Sequence, residues 1–399
     1  MAATHLNAHY VGLISGTSMD GIDAVVVRIN TTDTNPSDTR PSDTRPLGLH
    51  IELLAGETFG FEPELASSLA KAKHLAETDP QGFMDGELKA DLDQTLADAF
   101  ARASLMIIEQ SGLSRAEITA IGCHGQTVIH QPNASPPMSL QLGDGGRIAE
   151  QTGLLTVGQF RQADLAAGGQ GAPLAPLLHV ALFAHPQKRR AILNLGGIAN
   201  LTLLRPNQPV VGFDTGPANV FLDLWSQAHT HQSFDANGQW AHSGQVHPPL
   251  LERFLEDPYF ALPSPKSTGI EYFGQGWLNE KLKGFESLPP EDVQATLSEL
   301  TAASVAQATE PFGSVDQIIV CGGGAHNADL MARLQRRLPT SEVSRSNQWG
   351  VDSDYLEAML FAWLAHERLA ERPLDTRSIT GAKTPVVLGT LHHPMKQRG

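Results

Sequence analysis

Strand-like runs alternate with helical ones along nearly the whole chain, and most of the glycine-rich punctuation falls just after a strand. "YVGLIS", "DAVVVRI", "IELLAGETFGF", "ITAIGCHGQTV", "LLTVGQF", "RAILNLGGIANLTLL", "PVVGFDTG" and "QIIVCGGGA" read as β-strands. "APLLHVALFAHP", "DVQATLSELTAASVAQATEPFG" and "DYLEAMLFAWLAHERLA" read as helices between them. From Asp85 onward, Leu88, Leu92, Leu96, Ala99, Phe100 and Ala103 recur at helical spacing, so one face of a long helix should pack inward. The alternation predicts an α/β protein whose sheets are covered by helices. Ligands in such folds bind beyond the strand ends, so the glycine turns are where chemistry is expected. A chain of 399 residues has room for two domains with their own cores.

The formal net charge of -15 argues against nucleic acid or an anionic membrane as the main partner, because both require clustered Lys and Arg. Any anion must therefore be bound locally. The opening "MAATHLNAHYVGLISG" lacks the basic and apolar regions of a signal peptide, and no apolar run approaches the ~20 residues of a membrane span. Cys123 and Cys321 each follow an apolar run and read as buried reduced thiols, which fits a cytoplasmic setting. The tandem "PSDTR" starting at Pro36 and Pro41 cannot form a core and reads as a surface loop.

Three turns stand out. "SGTSMDGID" offers Gly16 and Gly21 for close backbone approach, Thr17 and Ser18 as hydroxyl donors, and Asp20 and Asp23 as metal or water partners, or else is a tight hairpin. "FDTGPAN" puts Asp214 at a strand end, where it could ligate a metal, capture a proton or cap the helix that starts near Pro217 and Ala218. "IIVCGGGAHN" places Gly322, Gly323 and Gly324 ahead of a helix, open to a purine or phosphate or serving tight packing. No "GK[ST]" follows these glycines and the dinucleotide spacing is missing, so a different nucleotide fold is needed.

Phosphate turns of the "GTSMDG" and "DTGPAN" kind with a "CGGG" adenosine turn resemble the superfamily of acetate and sugar kinases, heat-shock ATPases and actin. Within it, "GLISGTSMDGIDAVVV", "IGCHGQTVIHQP", "QLGDGGRIA", "FRQADLAAGGQGAPLAP", "LNLGGIANLT", "GFDTGPAN", "PKSTGIEYF", "DVQATLSELTA" and "VCGGGAHN" resemble the anhydro-N-acetylmuramic acid kinases, from about Tyr10 to the C-terminal "VVLG". The resemblance implies an α/β two-domain actin-like ATPase fold with an interdomain active-site cleft. The N-terminal lobe is expected over 1–160 plus 379–399 and the C-terminal lobe over 161–378, with "TPVVLG" returning to the first lobe as a strand.

It also implies a cytoplasmic homodimer that uses ATP and Mg2+ to open a 1,6-anhydro amino sugar and phosphorylate its 6-oxygen in cell-wall recycling. ATP would be held by Gly16, Thr17, Ser18, Met19, Asp20, Gly21, Ile22, Asp23, Gly216, Gly322, Gly323 and Gly324, with Asp20 in the magnesium shell. The resemblance favours Asp214 as the catalytic base, with Asp164 as the second candidate and otherwise a sugar-binding residue of the cleft wall. Arg161 suits the lactyl carboxylate of the sugar by bidentate pairing, or else an ordinary ion pair. His124 and Gln126 suit sugar hydroxyls or the acetamido group, a structural histidine being the alternative. Glu357, interrupting an apolar helix face, binds a sugar hydroxyl or pairs within the protein.

Lys266, Ser267 and Thr268 either border the nucleotide or support the cleft, while Trp225, Trp240 and Trp277 read as packing residues. Two rival classes remain. A nucleotide-driven binding protein would show no turnover with an anhydro sugar, and a different sugar or acyl kinase would leave the anomeric carbon unopened.

Overall fold

The computed structural model describes residues 7–16, 19, 21–31 and 49–395. Thr17, Ser18 and Asp20, together with the "PSDTR" duplication, lie outside the described residues. Two compact units are present, Met1–Leu182 with Tyr355–Gly399, and Phe183–Asp354.

In the first unit β1 (Ala8–Ser15), β2 (Gly21–Thr31) and β3 (Leu49–Gly60) form an antiparallel meander. β4 (Ile118–Gln131) pairs parallel to β1 and also takes β5 (Met138–Leu142) antiparallel. β6 (Thr156–Gly158) continues the sheet parallel to β4. The second unit repeats the plan. β7 (Arg190–Leu195), β8 (Ile198–Leu204) and β9 (Val211–Pro217) form the antiparallel meander. β10 (Gln317–Cys321) is parallel to β7, and β11 (Glu342–Arg345) is parallel to β10. Both sheets thus run third, second, first, then parallel strands.

Several expectations change here. "RAILNLGGIANLTLL" is two strands that reverse at Gly196–Gly197, because the tandem glycines form the turn between β7 and β8. "TPVVLG" is not the returning strand: Val386 is occupied in a bridge with Leu374, and the return to the sheet is made by β12 (Thr390–His392), antiparallel to β6. The division by contacts falls at 182/183 and 354/355 instead of 160/161 and 378/379. The reason lies in the helix Leu356–Leu369, which lies directly on the first sheet.

That helix approaches β1 and β4 backbone to backbone. A Cβ on Gly12 would lie 2.0 Å from the carbonyl oxygen of Ala358, and one on Gly122 would lie 2.0 Å from that of Phe361. Only glycine fits such a gap. On the other face, the helix Glu87–Gln110 buries Leu92, Leu96, Phe100, Ala103 and Ile107, each full burial of a Leu or Phe contributing about 1.5–3 kcal/mol. In the second unit the helix Pro290–Thr309 is buried along most of its length, and several of its polar residues bond to neighbouring elements: Thr301 donates to the Pro217 carbonyl at 3.1 Å and Ser298 to Asp329 at 3.1 Å. Both cysteines are buried thiols, and burial pushes the Cys123 thiol up to about 12. Among the described residues no helix is long and apolar enough to cross a membrane.

The glycine contacts make a direct stability prediction. Gly12→Ala and Gly122→Ala must each push a helix backbone off a strand, so each should cost at least the ~1–3 kcal/mol of ordinary overpacking. Urea unfolding midpoints unchanged from the parent would contradict that close approach.

Candidate active site

In the first unit the expected phosphate turn leaves β1 at Ser15. Ser15 donates to Gln126 Oε1 at 2.6 Å, and Gln126 Nε2 donates to the Gly16 carbonyl at 3.2 Å. Gln126 therefore anchors the entrance of the turn to β4. Met19 adopts φ 54° and its N–H reaches the Gly16 carbonyl at 3.3 Å, a tight reversal. Gly21 and Ile22 already belong to β2, and the Ile22 side chain is in the core, so only their main chain is open to a ligand role. Asp23 accepts a hydrogen bond from Thr58 at 2.7 Å.

Beside this turn stands a cationic group among neutral imidazoles. Arg161 Nε donates to His124 Nε2 at 3.2 Å, which leaves His124 Nδ1–H to donate to the Gly125 carbonyl at 3.0 Å. Burial, and then the Arg161 charge, hold the His124 pKa well below its ordinary value. His130, whose Nδ1 lies 3.1 Å from Ser139 Oγ, is lowered by the same two causes in the same order. Burial lowers Arg161 to about 10, opposed by the nearby charge of Glu357, so it remains a cation at neutral pH. Glu357, in the first turn of the helix Leu356–Leu369, is open to water yet ringed closely enough by protein that desolvation raises its pKa. Asp23 raises it further, and Arg161 lowers it. A cation, two neutral acceptor-donor rings and a carboxylate of raised pKa suit a polar ligand carrying one negative group.

Asp164 does not join this group. It is fully buried, with Oδ2 accepting the Gly171 N–H at 2.7 Å and Oδ1 accepting the Thr380 hydroxyl at 2.7 Å. Its position in the short helix Gln162–Ala166 pins the glycine-rich loop to the C-terminal segment, so the second candidate base is committed to structure.

In the second unit Asp214 lies within β9 and caps no helix; the helix Asn219–Thr230 starts five residues on with Ala218 as its N-cap. The Asp214 N–H donates to the Lys266 carbonyl at 2.9 Å, its own carbonyl accepts the Tyr259 hydroxyl at 2.7 Å, and Oδ2 accepts the Thr268 N–H at 3.0 Å. Desolvation raises its pKa, while hydrogen bonds from Thr268 and the Ser267 side chain lower it. The "PKSTG" segment thus supports this carboxylate.

The Gly196–Gly197 turn was not singled out from the sequence. It occupies the same place in its sheet as the Gly16 turn occupies in the first, between the first two antiparallel strands. The tandem glycine inside an overlong strand-like run was the available signal. Asn219 ties it down, its N–H donating to the Gly196 carbonyl at 3.0 Å and its Nδ2 to the Leu195 carbonyl at 3.0 Å. The three consecutive glycines then divide their roles. A Cβ on Gly322 would meet Asn194 Oδ1 at 2.4 Å, and one on Gly324 would meet Leu195 Cβ at 2.6 Å, so both serve packing against the β7 end. At Gly323 the nearest atom stands 3.9 Å away, and this backbone is open to a ligand. Gly216 has φ 149° and would drive a Cβ to 2.8 Å from Phe260, which is also a packing role.

Two α/β units are thus built on one sheet plan, each carrying a short turn after its first strand. The family profile described as Anhydro-N-acetylmuramic acid kinase matches residues 8–394. A relative named anhydro-N-acetylmuramic acid kinase from Xylella fastidiosa is 46% identical over 389 residues, covering 96% of both chains. Another of that name from Xanthomonas axonopodis pv. citri is 48% identical over 386 residues, covering 96% of this chain and 97% of the relative. Among solved structures, the activator of the 2-hydroxyisocaproyl-CoA dehydratase from Clostridium difficile with bound ADPNP is similar at a TM-score of 0.44 and 14% identity, over 91% of this chain and 96% of that one. The chain belongs to the anhydro-N-acetylmuramic acid kinase family.

The two hydrogen bonds to Asp164 generate a prediction about stability. Asp164→Ala removes both acceptors and leaves the buried Gly171 N–H without its partner, so the variant should lose about 1–3 kcal/mol. Thermal unfolding that matches the parent would show that the paired contacts are not holding the loop.

Proposed function

We propose that this protein uses ATP to open 1,6-anhydro-N-acetylmuramic acid and phosphorylate its 6-oxygen, giving N-acetylmuramic acid 6-phosphate and ADP in peptidoglycan recycling. Asp214 is the base. It takes a proton from the water that attacks the anomeric carbon, the bridge bond to the 6-oxygen breaks, and that oxygen attacks the γ-phosphorus as ADP leaves. The observation that carries the reading is the state of the Asp214 carboxylate, raised by desolvation toward a useful basicity yet oriented by the Thr268 N–H.

The turns from Gly16 to Asp23, at Gly196–Gly197 and at Gly323 bind the ATP phosphates and adenosine through main-chain groups; Gly216, Gly322 and Gly324 hold those turns in shape. Arg161 receives the lactyl carboxylate, with His124, Gln126 and Glu357 addressing the sugar's polar groups. Arg161 fits that part because it stays a cation and its guanidinium is bonded to a neutral histidine that adds no like charge. Such phosphoryl transfer depends mainly on positioning and charge stabilisation, which magnesium supplies when bound.

Among the described residues no group of three or more His, Cys, Asp or Glu is arranged around a metal position. Magnesium needs no such cage, since one or two carboxylates and the nucleotide phosphates suffice, and Asp20 is the carboxylate we assign to it. A cytoplasmic homodimer is part of the same reading and rests on the family resemblance.

Asp214→Asn keeps the shape of the side chain and cannot accept the proton. Turnover should fall ~10²- to 10⁴-fold with ATP affinity unchanged. Near-normal turnover on the anhydro sugar, read by product mass, would remove Asp214 from the mechanism.

A further inference from the structure

The segment that touches the Asp214 carboxylate is fastened at both ends to one short helix, Pro258–Ala261. At its near end Lys266 Nζ donates to the carbonyls of Tyr259 at 2.9 Å and Phe260 at 3.2 Å, and the ammonium stands 4.4 Å from the Tyr259 ring centroid. These carbonyls lie in the last turn of the helix, where a cation is favoured by the unsatisfied C=O groups. At its far end the buried Asp257, which caps the same helix by accepting the Tyr259 N–H at 3.0 Å, also accepts Tyr272 Oη at 2.9 Å and Trp277 Nε1 at 2.7 Å. Phe273 beside them is fully buried against Phe221 and Tyr259. Ser267 and Thr268 sit between these two fastenings, and Tyr259 completes the circuit through its hydroxyl bond to the Asp214 carbonyl.

Lys266 is half-buried, its ammonium directed to main-chain carbonyls and an aromatic face. Burial lowers its pKa, so the group is kept there against a desolvation cost. A lysine placed this way fixes geometry. We propose that Lys266 is a positioning residue for the reaction, clamping the Ser267–Thr268 strap onto the Asp214 carboxylate; this rests on Asp214 being the base.

The consequence is specific in its pH dependence. The strap's hydrogen bonds favour the ionised carboxylate and oppose the burial that raises its pKa. Of the titratable groups packed around Asp214, Tyr259 is itself pushed up by burial and by the Asp214 charge and stays neutral, and Lys266 belongs to the strap. Releasing the strap therefore raises the Asp214 pKa. The fraction of active, ionised base falls most at acid pH and recovers as pH rises.

The test compares Lys266→Met and Lys266→Arg with the parent enzyme in kcat/KM against pH, with ATP binding followed by calorimetry. Lys266→Met should move the acid limb to higher pH and lower kcat/KM near neutrality by up to ~10²-fold, the scale of a misplaced catalytic group, with ATP affinity kept. Lys266→Arg should restore much of the loss, because guanidinium also donates to carbonyls and stacks on the ring. If Lys266→Met does not fold, Lys266→Gln, which keeps a donor on a shorter stem, should show the same limb shift. A loss equal at every pH, an unshifted limb, or an Arg variant no better than Met would overturn the proposal. An Asp214→Asn enzyme with near-normal turnover would instead sink the base assignment on which it rests.

Discussion

A carboxylate inside a covered strand is costly unless its charged form is hydrogen-bonded, and Asp214 lives under that constraint. β9 supplies its position, and the segment that accepts the Asp214 N–H through the Lys266 carbonyl also supplies the donors to its carboxylate. The chain meets the need with the strap from Lys266 to Thr268, which returns to the strand and offers an N–H and a hydroxyl. Around that strap the aromatic cluster of Phe221, Tyr259, Phe260, Phe273 and Trp277 is packed. The hydrophobic packing of the second unit thereby sets the orientation of one carboxylate.

The first unit solves the complementary problem of holding a cation in an acidic chain of net charge -15. Among the described residues Arg161 hydrogen-bonds to histidines and not to a carboxylate, and burial keeps His124 neutral. The result is a local positive centre that long-range charge does not cancel, since charges beyond about 8–10 Å are screened at physiological salt. Glu357 approaches closely enough to sustain the guanidinium charge while its own pKa is raised by desolvation.

Much of this was legible in the sequence because periodicity survives folding. The helix Glu87–Gln110 buries the face its spacing announced, and the strands at "YVGLIS", "DAVVVRI" and "QIIVC" lie where alternation and apolar runs placed them. Other features depend on contacts between distant residues, which no local pattern records. For Asp214 a helix cap was one of three readings, because acid, hydroxyl and glycine precede a helix, yet a segment some fifty residues later claims it. Asp164 was the second candidate base among glycines, but Thr380 holds it in a buried hydrogen bond across more than two hundred residues of sequence. Glycines were also misleading in number: two of the three at Gly322–Gly324 make room for β7 and only one is open, while the informative pair at Gly196–Gly197 was hidden inside an apolar run.

The central claim is that one deprotonation, at Asp214, drives both the opening of the anhydro bridge and the unmasking of the phosphoryl acceptor. Turnover in 18O-labelled water tests it most directly, with the position of the label read by mass spectrometry of the product before and after phosphatase treatment. Label on the anomeric carbon, and none in the phosphate, is the predicted result. Label in the phosphate would mean that water attacked phosphorus, and would contradict the mechanism.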